Sequence, residues 1–382
     1  MFNIYGKYTS ATIYAEICEA DALSQIYDLC NHPKLSGASI KVMPDVHAGA
    51  GATIGTTVKM SFDCVIPSIV GTDIGCGVLT VIIEDRDIDF KSLDDFIFEY
   101  IPFGMRTRPT THRNMQNSIK RRVRGLCERL GMTKNEHDFL RSCGTLGGGN
   151  HYIEIGRLSG GKIAITIHTG SRSLGKCIAE YYNDKANNYL HNNSICGVNR
   201  SLPYLCGNDA IEYLFDMCVA TDFAAENRRL IALDILKFLD VSPIETFDTV
   251  HNYVEENSDG SITVRKGAIS AKNGERVAIP MNMRDGVLLC VGIGNREWNY
   301  SAPHGAGRLM SRSEAKSTLS LCDYNETMRG IATWSVGLST IDESPMAYKP
   351  MESITSVIAE TVNIVDVIKP LYNFKARSIS GK

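Results

Sequence analysis

The chain has 382 residues, 43% hydrophobic and 22% charged, the balance of a folded protein long enough to bury a large core without disulfide or metal staples. Its 40 basic and 43 acidic residues give a net charge of −3, which excludes a uniformly basic nucleic-acid coat protein but leaves room for a local basic groove. The 12 cysteines are scattered without a CxxC pair, and Met1-Phe-Asn-Ile-Tyr-Gly6 has no leader pattern. No apolar run approaches the roughly 20 residues of a membrane span, so a cytoplasmic protein with reduced thiols and no membrane partner is expected.

In chain order, apolar runs and helical spacing predict a strand at Val78–Ile83, helices at Ser92–Tyr100 and Gln116–Leu130, and a strand at Ile163–Ile167. A helix over Ala210–Phe238 comes next, then strands at Val277–Ile279 and Val287–Val291 and a last helix over Glu352–Ile368. The alternation is irregular, which favours a mixed α/β or α+β fold over a regular doubly wound sheet. No repeat or low-complexity linker divides the chain, so residues 1–382 read as one domain with a mostly helical segment at about 175–240.

Between Gly104 and Leu130, Arg106, Arg108, Arg113, Lys120, Arg121, Arg122, Arg124 and Arg129 are opposed only by Glu128. This run reads either as a solvated helix face or as a track for a phosphate backbone.

Metal-type residues sit among glycines. Gly71-Thr-Asp-Ile-Gly-Cys-Gly77 puts Asp73 and Cys76 three apart on a permissive turn. Gly144-Thr-Leu-Gly-Gly-Gly-Asn-His-Tyr-Ile-Glu154 delivers Asn150, His151 and Glu154 to the start of a strand, and Ile163–Ile167 ends on His168. His251-Asn252-Tyr253 and Pro303-His304-Gly-Ala-Gly-Arg308 complete the set. Of nine histidines, His151, His168, His251 and His304 have this company, while His32, His47, His112, His137 and His191 lack it, although His47 lies in a Gly-rich segment. Imidazoles with one thiolate and one carboxylate suit Mn²⁺, Zn²⁺, Fe²⁺ or Co²⁺, and spacing alone does not choose among them.

Two nucleotide motifs fail residue by residue. Gly170-Ser-Arg-Ser-Leu-Gly-Lys-Cys177 nearly fits a P-loop, but Cys177 lacks the hydroxyl that would bind Mg²⁺. Gly49-Ala-Gly51 has Ile54 where a dinucleotide-binding turn needs its third glycine.

Six segments in order carry a resemblance: Met43-Pro-Asp-Val-His-Ala-Gly-Ala-Gly51, Gly71–Gly77, Gly147-Gly-Gly-Asn-His151, His168-Thr-Gly-Ser-Arg172, His251-Asn-Tyr-Val254 and His304-Gly-Ala-Gly-Arg308. Together the chain resembles the RtcB family of RNA ligases over about Lys41 to Lys375. The resemblance implies sheets at the core flanked by helices. It also implies a ligase that joins a 3′-phosphate or 2′,3′-cyclic phosphate RNA end to a 5′-hydroxyl end, in tRNA splicing or RNA repair.

By the same resemblance, GTP and two Mn²⁺ ions are the cofactors. Cys76 would bridge the metals, with His168 and His251 on one and Asp73 and His151 on the other. His304 would be the nucleophile that takes GMP. Asn150, His151, Tyr152, Ile153, Glu154, His251, Asn252, Pro280, Met281, Asn282, Met283, Val287, His304, Gly305, Ala306, Gly307, Tyr348 and Lys375 would form the nucleotide site. Arg172, Arg308 and Arg312 would grip the RNA terminal phosphate, where a guanidinium matches phosphate geometry. An archease-like activator is a further partner the resemblance brings.

The chain departs from the family pattern in places. Asn282 and Val287 stand where the family usually has serines, Pro303 precedes His304 where serine is common, and residues 376–382 extend past Lys375. These departures touch guanylate affinity and selectivity, not the metal set. Two competing readings remain: a metal-dependent RNA-end phosphodiesterase or cyclic phosphatase without guanylylation, and a non-catalytic RNA-end binder. Intact Asp73, Cys76 and His304 weigh against the second.

Overall fold

A computed structural model describes residues 1–16 and 18–377. Its framework is two sheets. One has the strand order Phe2–Tyr5, Ser10–Ile13, Ser39–His47, Ile54–Ser61, Ser261–Lys266, Asn252–Glu256. The other runs Glu245–Val250, Gly77–Ile83, Ile163–Thr169, Tyr152–Arg157, Val362–Lys375, Gly286–Gly292, Arg276–Asn282. The class is mixed α+β, as expected.

Period-2 alternation explains the second sheet. Leu79, Val81, Ile83, Ile163, Ile165 and Ile167 face one apolar core with Ile231 and Ile235 of the Asn208–Leu239 helix. Val78, Ile82 and Ala164 face another with Val287, Leu289 and Ile368. Both faces are covered, so Gly77–Ile83 and Ile163–Thr169 are buried along their whole length. This is why they read as continuous apolar runs.

The helices expected at Ser92–Tyr100, Gln116–Leu130 and Ala210–Phe238 form as Phe90–Tyr100, Asn117–Arg129 and Asn208–Leu239. Asp89 caps the first by accepting from the Lys91 and Ser92 amides. The helical segment is made by Arg172–Asn192 and Asn208–Leu239.

The last expected helix is half wrong. Met351–Ile358 is helical, but Val362–Lys375 is a 14-residue strand. Ile354, Ile358 and Val362 keep helical spacing, so local pattern could not mark the end. The β-branched residues from Val362 onward are crowded in a helix and suit a pleat. Two partners decide it: Val287 pairs with Ile368, and Tyr152 with Lys375.

Half of the basic run is neutralised within the protein. Arg108 meets Asp234, Arg122 meets Asp222, Arg124 meets Glu136 and Arg129 meets Asp216. Three of those acids lie on the Asn208–Leu239 helix, so much of the run is a seam against that helix. Lys120 and Arg121 meet no carboxylate among the described residues and border an open groove with Asn117 and Arg124.

The sheets join at the site. Glu245–Val250 belongs to one sheet and Asn252–Glu256 to the other, so His251 is the single residue at the crossover. Its amide donates to the Cys76 carbonyl at 2.9 Å.

Candidate active site

The glycine turn before the Gly77–Ile83 strand aims Cys76 inward. Its Sγ lies 3.5 Å from His151 Nε2 and 3.4 Å from His168 Nε2. Asp73 Oδ2 lies 3.0 Å from the same His151 nitrogen. The His251 ring centroid is 5.2 Å from that of His168. The turn is clamped from below by Arg228, fully buried, which donates to the Gly75 and Thr169 carbonyls and to both oxygens of Asp248. Of the five residues expected to hold metal, Cys76, His151 and His168 bring their donor atoms into one cluster, Asp73 joins through His151, and His251 stands beside His168 by ring contact.

Hydrogen bonding fixes the tautomers. His151 Nδ1 faces the Leu146 carbonyl at 2.9 Å and His168 Nδ1 faces the Asn150 carbonyl at 3.2 Å. Carbonyls only accept, so each Nδ1 carries a proton; His168 Nε2 then presents a lone pair, while His151 Nε2 donates to Asp73 and presents one only when a cation takes the place of that proton. Asp73 Oδ2, His151 Nε2 and His168 Nε2 thus crowd around one thiol, with the His151 Nε2 proton shared toward Asp73. A shared cation relieves this crowding, and the donor set fits a borderline divalent metal.

Ionisation agrees with that fit. Burial, helped by neighbouring imidazoles, pushes His168 and His251 well below the ordinary histidine range, so both are neutral. Burial and then Asp73 push the Cys76 thiol well up, as for a thiolate that forms only against a cation. Burial would raise Asp73, but the His151 hydrogen bond outweighs it and holds the carboxyl at about 2.

His304 comes from the other side, just after the Ser301–Pro303 strand. Its Nδ1 donates to Asp45 Oδ2 at 2.6 Å, and its backbone amide reaches the same oxygen at 3.2 Å. Asp45 is fully buried on the Ser39–His47 strand. The carboxylate thereby fixes the ring and leaves Nε2 free. Gly267, at φ +60°, makes the approach possible: a Cβ there would stand 2.2 Å from Ile54 Cγ2 and 3.2 Å from His304 Cε1.

His304 lines two cavities. The first, about 450 Å³, is walled by Asn150, Tyr152, Glu154, Pro280–Met283, Val287, His304–Gly307, Arg308, Arg312, Tyr348 and Lys375. The second, about 490 Å³, holds Asp73, Cys76, His251 and Asn252 with Lys266 and Arg200. Most residues expected around a nucleotide thus line the first cavity. His251 and Asn252 line the second. His151 and Ile153 line neither: His151 turns to Cys76 and Asp73, and alternation puts Ile153 in the apolar core, away from Tyr152 and Glu154.

In the first cavity Glu154 is buried. Its Oε2 accepts from Asn373 and its Oε1 has no partner among the described residues. Burial pushes its carboxyl up to about 8 against the opposing pull of Asn373 and Lys375. Lys375 Nζ donates to Glu343 Oε2 at 2.8 Å. Burial would raise Glu343, yet Lys375 and Arg312 hold it at about 2. Asn282 is occupied locally: its Oδ1 accepts from the Arg284 and Asp285 amides and its Nδ2 donates to Asp285.

The three arginines are divided. Arg308 and Arg312 converge on Glu343 at the cavity wall, Arg312 also reaching Asp342 at 2.8 Å. Arg172 lines neither cavity; it donates to Thr145 Oγ1 and the Gly104 carbonyl. Gly147 admits it, since a Cβ there would stand 1.9 Å from Arg172 Nη1.

Sequence reasoning missed Asp45, Arg228, Lys266 and Glu343. Asp45 stands inside the Met43–Gly51 segment, next but one to His47. Its signal was an acid in a run of apolar and glycine residues. The decoy motif is inert: Lys176 is exposed on the Arg172–Asn192 helix and pairs with Glu180.

A donor cluster, an oriented histidine and two flanking cavities have the make-up of an enzyme active site rather than of a binding surface. A family profile described as tRNA-splicing ligase RtcB matches residues 25–376. The chain belongs to that family of RNA ligases. It is 29% identical to the RNA-splicing ligase RtcB of Escherichia coli (strain K12), covering 92% of this chain and 93% of that protein. It is 27% identical to the tRNA-splicing ligase RtcB of Aeropyrum pernix, over 83% of each. An RNA-splicing ligase RtcB homolog of Entamoeba histolytica is 28% identical, over 86% of this chain and 79% of that protein. Among the described residues no helix is long and apolar enough to cross a membrane.

Proposed function

We propose that this protein is a GTP- and Mn²⁺-dependent RNA ligase that joins 3′-phosphate or 2′,3′-cyclic phosphate ends to 5′-hydroxyl ends. One observation carries the reading. His304 has Nδ1 held by buried Asp45 and stands between a nucleotide-sized cavity and a cluster of metal-type donors.

Neutral Nε2 of His304 attacks the α-phosphorus of GTP and diphosphate leaves, giving a histidine–GMP phosphoramidate. Asp45 holds the neutral ring's proton on Nδ1, so that the lone pair lies on Nε2, and it stabilises the positive imidazole as the N–P bond forms. Glu154, ionised when N–H donors enter the cavity, offers Oε1 as an acceptor to the N–H edge of guanine, an edge adenine does not present in the same form. Tyr348 and Lys375 close that end of the cavity. Arg308 and Arg312 offer guanidinium donors to the RNA phosphate that next receives GMP. Asp73, Cys76, His151, His168 and His251 would hold the metal, which when bound supplies Lewis-acid polarisation of phosphoryl oxygens. RNA ends produced by splicing or by damage share this chemistry, and an archease-like activator fits the same reading.

Incubation with labelled GTP and Mn²⁺ tests it. The wild-type protein should form an acid-labile, alkali-stable GMP adduct, His304→Ala should form none, and Lys176→Ala should form it normally. Loss of the adduct only in Lys176→Ala would overturn the histidine mechanism. Turnover of cyclic phosphate ends with no adduct in any variant would favour the phosphodiesterase reading.

A further inference from the structure

Beyond Lys375 the strand does not simply end. Asn373 and Lys375 point into the first cavity, while Tyr372 and Phe374 alternate to the opposite face and pack in the core. On that face lies Asp94, fully buried on the Phe90–Tyr100 helix. Tyr372 Oη donates to Asp94 Oδ1 at 3.0 Å. Arg377 then folds back over the same carboxylate, with Nη2 at 2.5 Å from Oδ2 and Nη1 at 3.4 Å from Oδ1. Its guanidinium also lies 5.1 Å from the Phe98 ring centroid and 5.3 Å from that of Phe374.

We infer that Asp94 and Arg377 form a clasp that positions Lys375 in the nucleotide cavity. The inference rests on the reading of that cavity as the GTP site. Lys375 is held on its own side by Glu343 and by the Asn150 carbonyl at 3.3 Å. Its backbone is held by Ser335, whose Oγ accepts from the Lys375 amide at 2.9 Å. Whether the end of the strand frays is therefore decided just beyond Lys375. Arg377 is the cation that answers the buried Asp94 charge, and a buried carboxylate stripped of its cation is strongly unfavourable. That demand is satisfied only while the strand stays in register through Lys375. The two residues touch neither nucleotide nor metal ligand, so their role is positioning.

The test compares wild type with Arg377→Ala, Arg377→Lys and Asp94→Asn. One measurement is the GTP dependence of adduct formation, and the other is amide hydrogen exchange over residues 371–377. Arg377→Ala should raise half-saturating GTP by about tenfold, the scale of one charge-assisted hydrogen bond, with the adduct level at saturating GTP unchanged. Arg377→Lys should recover most of the loss, and exchange at Asn373 and Lys375 should quicken in Arg377→Ala. Arg377→Ala removes a partly exposed side chain, so it remains informative if Asp94→Asn fails to fold. Unchanged GTP dependence together with unchanged exchange in Arg377→Ala would overturn the clasp. If the wild-type protein forms no adduct, the GTP reading falls, and exchange alone then decides whether the clasp orders the strand.

Discussion

Replacing Asp45 by Asn keeps the shape of the pair with His304 and removes its charge. In the wild-type protein the 2.6 Å contact runs from a ring N–H to a fully buried carboxylate oxygen. An amide at this place has two orientations. With its oxygen toward Nδ1, the geometry survives and only charge assistance disappears, about 1.5–3 kcal/mol, or roughly 10–150-fold in rate. With its NH₂ toward Nδ1, the ring must accept there and carry its proton on Nε2, the attacking atom. Loss of the right tautomer in the serine-protease triad, where the same logic holds, lowers turnover by about 10⁴. The His304 backbone amide also donates to Oδ2 at 3.2 Å, which favours an oxygen at that place and hence the first orientation. Adduct formation by Asp45→Asn should therefore slow by about 10–150-fold. The assay is single-turnover transfer of labelled GMP at saturating GTP and Mn²⁺, with circular dichroism to verify folding. A folded Asp45→Asn protein that guanylylates within about threefold of wild type would refute the orientation argument.

Three other outcomes are expected. Cys76→Ala should lose Mn²⁺ binding, read by elemental analysis after desalting, together with ligation, because its sulfur contacts both His151 and His168; near wild-type ligation would sink the bridging role. Glu154→Gln should alter the pH dependence of stability: the folded carboxyl sits at about 8 against an ordinary value of 4.5, so its contribution is full below pH 4.5 and is lost as pH rises through 8. The Tm of Glu154→Gln relative to wild type should accordingly rise between pH 5 and 8, and parallel Tm curves would contradict the burial argument. Because Arg122 and Arg124 already meet acids, the RNA-track reading falls on Lys120 and Arg121, whose joint replacement by Ala should weaken RNA binding and flatten its salt slope by about 0.7 for each phosphate no longer neutralised; equal affinity and slope would mark the segment as a solvated face.

Much of the site was legible because its chemistry is carried by short-range pattern. Asp73 and Cys76 lie on one turn, and His151 comes directly after its glycine loop. Such segments keep their meaning wherever the fold puts them. The buried strands were legible for a similar reason, since two-sided burial leaves an unbroken apolar run. Failures came where a partner distant in sequence chose between local options. Residues 362–368 satisfy both helical and pleated spacing until the Gly286–Gly292 strand claims them. The basic run looked free until acids about 90–130 residues away were brought against it.

The sequence by itself determined which chemical groups the site would have, because donor type and glycine placement are properties of the residues. It also determined the mixed class of the fold through its periodicities. Only the tertiary structure decided which groups face one another. Asp45 meets His304 across 259 positions, Glu343 meets Lys375 across 32, and Asp94 meets Arg377 across 283. A carboxylate acquires its role from the cation or ring it is buried against. That pairing depends on two sheets meeting at His251, which no local window of the chain contains.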